Sequence, residues 1–161
     1  MSKTIASSDV REYVSGHLGD VFDTMLSLKA TPATEFDLCQ FSGDRISGLV
    51  GLAGKTITGS IYLHVSTPFA VQATSAMLGL APEEITGVAE VNDVVAELTN
   101  MLGGGLKSWL CDAGAACALT TPAIIRGSSY VISAKPDVEL ILIGFDCDHH
   151  RSLAEIHFKF T

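Results

Sequence analysis

The chain has 161 residues, 47% hydrophobic and only 17% charged, enough to bury a sizeable core and too apolar for an intrinsically disordered segment. Its formal net charge is −8, and its 10 lysines and arginines are scattered, which excludes the clustered cations that nucleic acid or an anionic membrane surface requires. No apolar run approaches the ~20 residues that span a bilayer, and the stretch from Met1 to Ser8 is too polar for an export signal, so a cytoplasmic protein forming one domain over residues 1–161 is expected.

The first predicted element is a helix from about Ser8 to Leu28. Ser7, Ser8 or Asp9 is positioned to cap it, and Val10, Val14, Leu18, Val21, Phe22 and Met25 supply an apolar stripe at helical spacing. Thr31-Pro32-Ala33-Thr34 then punctuates the chain. The apolar, glycine-rich run from Ile46 to Leu52 reads as a buried strand. Ile57, Gly59, Ile61, Leu63 and Val65 alternate with Thr58, Ser60, Tyr62 and His64, which is the strand period. Ala53-Gly54-Lys55 is the hairpin turn between them.

Thr67 as cap and Pro68 at the first helical position start a second helix that runs to about Leu78. A third and longer helix follows Pro82 and covers Val88 to Leu110. After the break at Asp112-Ala-Gly-Ala-Ala, four candidate strands remain: Ala116 to Thr121, Tyr130 to Ser133, Glu139 to Phe145 and Ala154 to Phe160. The last two carry strong β-formers and pair through a turn from Asp146 to Arg151.

The long helix carries the most information. Val91, Val95, Leu98, Leu102, Leu106 and Trp109 make its apolar face, while Glu90, Asp93, Glu97, Asn100, Gly104 and Lys107 recur at steps of three and four on the other. The i, i+3 spacing places Glu97 and Asn100 side by side, with Cβ atoms about 5–6 Å apart. A carboxylate and a carboxamide so placed can grip another protein and aim a water, although a solvated helix face is the ordinary meaning of such a pair. Gly103-Gly104-Gly105 follows immediately. Each glycine inside a helix costs up to about 1 kcal/mol relative to alanine, so the run requires a helix end or a close approach to the backbone. Leu106, Trp109 and Leu110 resume the apolar face in phase, which favours a helix that continues.

The string Glu97-Leu-Thr-Asn100-Met-Leu-Gly-Gly104-Gly-Leu-Lys107 resembles the E-L-x-N-M-x-x-G-x-x-K signature of CheX-type chemotaxis phosphatases, within the wider CheC/CheX/FliY family. Val21-Phe22-Asp23-Thr24-Met25-Leu26 is similar to the end of that family's first helix. Ile46 to Gly54 and Gly59 to Leu63 are similar to its first hairpin, and Ala76-Met77-Leu78-Gly79 to the close of its second helix. The resemblance runs from about Val21 to Leu110. It implies a two-layer α+β domain, with a mostly antiparallel sheet packed on helices. It also implies dephosphorylation of a phosphorylated CheY-like response regulator, a chemotaxis partner. In that role Glu97 pairs with the receiver's conserved lysine, Asn100 orients the attacking water, and Asp93, Gly104 and Lys107 contact the partner. The resemblance implies no cofactor of the chain's own, because the Mg²⁺ belongs to the receiver. CheC relatives carry a second E-x-x-N on the first helix. Here that helix reads Gly19-Asp20-Val21-Phe22-Asp23-Thr24, so one site is expected. The resemblance also implies a homodimer through sheet edges, with the strands after Glu139 as candidate interface elements.

Other constellations are weaker. Gly48-Leu-Val-Gly51-Leu-Ala-Gly54-Lys55-Thr56 misses the P-loop spacing at Leu49, and a strand pattern follows the lysine where a phosphate loop requires a helix. Asp146-Cys147-Asp148-His149-His150 gathers metal-ligand types, but so close in sequence that a polar hairpin turn is the simpler reading. His64 and His157 read as ordinary strand-face residues, and nothing near His17 suggests a ligand set. The cysteines at 39, 111, 117 and 147 form no C-x-x-C pair and read as reduced, partly buried thiols. The competing function is a non-catalytic module that docks a receiver with the same helix.

Overall fold

Strand alternation and glycine placement set the architecture. The computed structural model describes residues 4–33 and 43–161. In chain order it contains α1 (Ser7–Leu26), β1 (Ala30–Pro32), β2 (Asp44–Gly54), β3 (Ile57–Ser66), α2 (Thr67–Leu78), a short 3-10 turn at Pro82–Glu84, α3 (Val88–Asp112), β4 (Cys117–Leu119), β5 (Ala123–Ser128), β6 (Glu139–Cys147) and β7 (His150–Phe160). The strands form one antiparallel sheet in the order β1-β6-β7-β3-β2-β4, with β5 also paired to β2. The helices pack on one face of it. This is the two-layer α+β arrangement that the sequence leads one to expect.

Register explains which side chains meet the helices. Val50 lies opposite Ile61, and Ile61 opposite Ile156, so these residues share the helix-facing side with Ile46, Leu52, Leu63, Val65, Ala154 and Phe158. The α1 stripe of Val10, Val14, Leu18, Val21, Phe22 and Leu26 packs onto that side. Phe22 joins α1 to α2 and β6, with ring centroids 5.6 Å from Phe69 and 6.4 Å from Phe145.

Several boundaries differ from the sequence reading. The cap position of α1 is Ala6, and Asp9 reaches back to accept from the Ala6 N–H at 3.1 Å. That helix stops at Leu26 because Ser27 takes a left-handed conformation (φ 54°). Ser66, not Thr67, caps α2 by accepting from the Phe69 N–H at 3.2 Å; the Thr67 hydroxyl instead donates to the Asp44 carbonyl. Thr31-Pro32, read as part of a break in the chain, lies in the edge strand Ala30–Pro32, where proline is tolerated. No strand forms at Tyr130–Ser133. The strand is Ala123–Ser128, whose apolar run is cut to Ile124-Ile125 by Pro122 and Arg126-Gly127 and so gives little sequence signal. β7 begins at His150, which shrinks the last turn to Asp148-His149, with Asp148 at φ 54°. Cys39 lies outside the described residues. Cys111 and Cys117 are half-buried free thiols and Cys147 is a buried one. Burial pushes the Cys117 and Cys147 thiols above the ordinary value.

The sheet face turned away from the helices is not the plain polar surface that His64 and His157 suggest in sequence. Ser47, His64, Glu155 and His157 are buried there. The His64 Nε2 lies 3.1 Å from Glu155 Oε1, and His157 Nε2 lies 2.5 Å from Glu155 Oε2. The Ser47 hydroxyl meets His64 Nδ1 at 2.5 Å and also bonds the Tyr130 hydroxyl. The physical reason is that antiparallel register sets Ser47 opposite His64 and places Tyr62 beside Glu155, so adjacent strands assemble the cluster without any sequence motif. Burial alone raises the Glu155 carboxyl, but the hydrogen bonds and charges of the two histidines outweigh it and hold the carboxyl below its ordinary value of 4.5. Its contribution to stability is therefore full above that ordinary value and is lost as pH falls through the lower folded-state value. Glu155→Gln is expected to lower stability by about 3 kcal/mol at neutral pH, measured by urea unfolding. The gap between wild type and variant is expected to narrow as the pH falls below about 4. A pH-independent gap would contradict this account.

Candidate functional site

The functional face is built on α3. Val91, Val94, Val95, Leu98, Thr99, Leu102, Gly103, Leu106 and Leu110 are buried along it. The predicted apolar stripe is therefore present, and it is wider than the sequence pattern because Val94, Thr99 and Gly103 are buried as well, with Thr99 and Gly103 facing the sheet. Trp109 is half-buried and stacks on Tyr13 of α1, with centroids 5.3 Å apart and planes at 18°.

Three contacts seat the helix. Gly48 on β2 leaves a slot for Thr99: a Cβ at Gly48 would lie 1.8 Å from Thr99 Oγ1. The Thr99 hydroxyl turns inward and donates to the Val95 carbonyl at 2.7 Å. Gly103 rests on Val50, whose Cγ2 would be 2.7 Å from an added Cβ. Gly105 rests on His17, whose Nε2 would be 2.0 Å from one. The same His17 nitrogen lies 3.0 Å from the Met101 carbonyl, so α1 grips the helix one residue after Asn100. At the other end, Arg126 of β5 donates to Asn92 Oδ1 at 2.6 Å and to the Val88 carbonyl at 3.4 Å.

The helix runs unbroken through its three glycines, as the in-phase apolar residues indicated. Gly103 and Gly105 answer to the protein's own interior. Gly104 does not: nothing lies within 4 Å of a Cβ added there. It belongs to the outward face with Asp93, Glu97, Asn100 and Lys107. Asp93 and Glu97 are exposed, and Asn100, Gly104 and Lys107 are half-buried. All five predicted site residues thus share one strip of one helix. Among the described residues, the side chains of Asp93, Glu97, Asn100 and Lys107 make no hydrogen bond or ion pair, so their polar groups are free to meet a partner.

Sequence reasoning missed His17. The signal that could have found it is Gly105, since a glycine in mid-helix implies a bulky neighbour pressed against its backbone. The residues from Asp146 to His150 are drawn into the predicted hairpin instead of converging. Asp146 pairs with Arg151 at 2.8 Å, Asp148 Oδ2 accepts from Gln72 at 3.4 Å, and His150 packs on the Phe69 ring. Lys55 sits in the β2–β3 turn and is followed by a strand, which removes the P-loop reading. Among the described residues, no helix is long and apolar enough to cross a membrane.

A profile described as "Chemotaxis phosphatase CheX" matches residues 46–146, which takes in the β2–β3 hairpin and all of α3. The chain belongs to the CheX family. Solved CheX structures agree with the fold. Chemotaxis protein CheX from Vibrio vulnificus is 29% identical, over 97% of this chain and 100% of that one, with a TM-score of 0.81. A CheC-like superfamily protein from Shewanella sp. PV-4 is also 29% identical, over 96% and 99% of the two chains, with a TM-score of 0.80. The CheX–CheY–BeF₃–Mg²⁺ complex from Borrelia burgdorferi matches in fold at 23% identity, 94% and 98% coverage and a TM-score of 0.71. No curated protein matches the chain.

The CheX helix generates a paired test. Gly104→Ala adds a methyl to open space and is expected to raise stability by up to about 1 kcal/mol through helix propensity. Gly103→Ala drives a methyl into Val50 and is expected to lower stability by about 1–3 kcal/mol. Urea midpoints read both, and the reverse order would refute the assignment of the two glycines.

Proposed function

We propose that this CheX protein accelerates hydrolysis of the aspartyl phosphate on a CheY-like response regulator, with Asn100 orienting the attacking water and Glu97 holding the receiver in register. Membership of a chemotaxis phosphatase family supports the reaction class. The Borrelia CheX held with CheY, BeF₃ and Mg²⁺ supports the partner class. The observation that carries the reading is the outward-facing Glu97–Asn100 pair, without a partner among the described residues, on a helix whose own glycines lock it in place.

The chemistry asks little of the protein except position. Phosphoryl transfer passes through a loose transition state, so catalysis comes mainly from aligning a nucleophile and stabilising charge. The receiver supplies the phosphoryl group and its Mg²⁺. A carboxamide suits the remaining task, because Asn100 accepts from a water through Oδ1 and donates through Nδ2 without adding charge beside the phosphate. Glu97, one turn earlier, answers the receiver's lysine as an ion pair that forms on docking. Gly104, one turn later, has no side chain to hold the receiver surface away. Asp93 and Lys107 extend the contact along the same strip.

Phosphate loss from a receiver labelled with acetyl phosphate tests this directly. Wild type is expected to accelerate it. Asn100→Ala is expected to reduce the maximal rate by about 100-fold or more while leaving binding and unfolding unchanged. Glu97→Ala is expected to raise the half-saturating concentration by about 10-fold, the weight of one docking ion pair. Gly104→Leu is expected to prevent docking although the isolated protein folds. Wild-type binding without acceleration would replace the phosphatase with the non-catalytic docking module.

A further inference from the structure

The buried cluster on the far side of the sheet forms the floor of a second site. A pocket of about 440 Å³ lies between the outer faces of β3 and β7 and the segment 130–138 that crosses them. The outward side chains of Thr58, Ser60 and Tyr62 line it from β3, and those of His157 and Lys159 from β7. Ser133 and Lys135 face it from the crossing segment. None of these residues belongs to the α3 face.

Two features distinguish this cavity from an ordinary surface dent. The His157 side chain is only 8% exposed, and its Nε2 is committed to Glu155. Among the described residues its one hydrogen bond is that of Nε2, and the ring lines the pocket, which leaves Nδ1 to meet an occupant. The hydroxyls of Thr58, Ser60, Tyr62 and Ser133 likewise have no side-chain hydrogen bond among the described residues, and Lys135 has no ion pair there. Lys159 is paired with Asp137 at the rim.

The crossing segment is tied to the floor. The Arg45 guanidinium lies 3.8 Å over the Tyr130 ring and donates to the Tyr130 carbonyl, while the Tyr130 hydroxyl bonds Ser47. From Ser47 the bonds run through His64 and Glu155 to His157. The Ser47–His64–Glu155 order has the look of a hydrolytic triad, but Ser47 and His64 have no exposed surface and the serine is spent on Tyr130. The network is therefore a support for the pocket rather than a nucleophile.

We propose that this pocket binds the oxyanion of a small molecule, phosphate or carboxylate, between Lys135, His157 and the hydroxyls of Thr58, Ser60 and Ser133. An Nδ1–H of His157 donates to the oxyanion, and the Lys135 ammonium supplies the opposite charge. The hydroxyls donate to the remaining oxygens, and Ile132 and Val138 provide apolar walls for the rest of the molecule. The site stands independently of the receiver face, so its failure would leave the phosphatase reading untouched.

The test is the ring ¹H–¹³C signal of His157 in the full chain, titrated with sodium phosphate and separately with sodium acetate at ionic strength held constant with chloride. A saturable shift is expected with at least one of them, and which one saturates identifies the class of oxyanion. Lys135→Ala lies outside the buried network, and unchanged His64 signals check that the network survives in it. It is expected to weaken that binding by about fivefold or more, the loss of one charge-assisted contact. A shift that never saturates, or one that saturates equally in Lys135→Ala, would overturn the proposal.

Discussion

The seating of α3 on the sheet is the constraint on which everything else depends. Three residue pairs achieve it, each placing a glycine against a side chain: Gly48 with Thr99, Gly103 with Val50, and Gly105 with His17. Removing a Cβ lets the helix backbone approach closely, and close packing turns small displacements into real energy. The contacts bracket Asn100 from residue 99 to residue 105 and come from β2 and α1. The catalytic carboxamide proposed here therefore projects from a section of helix that cannot roll or slide without breaking all three. That matters for a reaction whose protein contribution is mainly alignment.

The sheet separates two kinds of polar chemistry. Toward the helices it is largely apolar, and α3 turns Asp93, Glu97, Asn100 and Lys107 outward without a partner among the described residues. On the opposite face a buried cluster links Ser47, His64, Glu155 and His157, with Glu155 shared between two histidines. The first arrangement waits for a partner. The second stiffens the sheet and ties down the segment from Tyr130 onward. Net charge fits the first role poorly at long range, since a chain at −8 gains no general attraction to an acidic receiver. In the proposed role, docking rests on short-range matching, with an ion pair at Glu97 and a flat patch at Gly104 setting the register.

Much of this was legible in the sequence, for physical reasons. A 3.6-residue period over more than six turns leaves little doubt about α3, and the glycine run in phase with Leu106 showed that the helix continued. Strict alternation from Ile57 to Val65 gave β3, and the hairpin with β2 followed from the turn between them. The family motif on α3 also lay in plain view. What was hidden depended on contacts between segments distant in sequence. His17 and Gly105 are far apart in the chain, and only folding brings them together. Glu155 looks like any outward strand residue until register sets it between His64 and His157. β5 was misplaced because Ile124-Ile125 is too short a run to stand out from its flanking proline and glycine. The cap moved from Thr67 to Ser66 because either hydroxyl fits the local pattern, and the neighbouring Asp44 carbonyl claims the threonine.

The central claim is geometric: α3 is already set to carry the Asn100 carboxamide into a receiver's phosphorylation site. The measurement that tests it most directly is a crystal structure of this protein bound to its cognate receiver, activated with beryllofluoride and Mg²⁺. The account predicts an α3 unchanged from the free protein, with Asn100 within about 3.5 Å of the in-line water position and Glu97 in contact with the receiver's lysine. A receiver docked on another face, or an Asn100 turned away from the beryllofluoride, would contradict it.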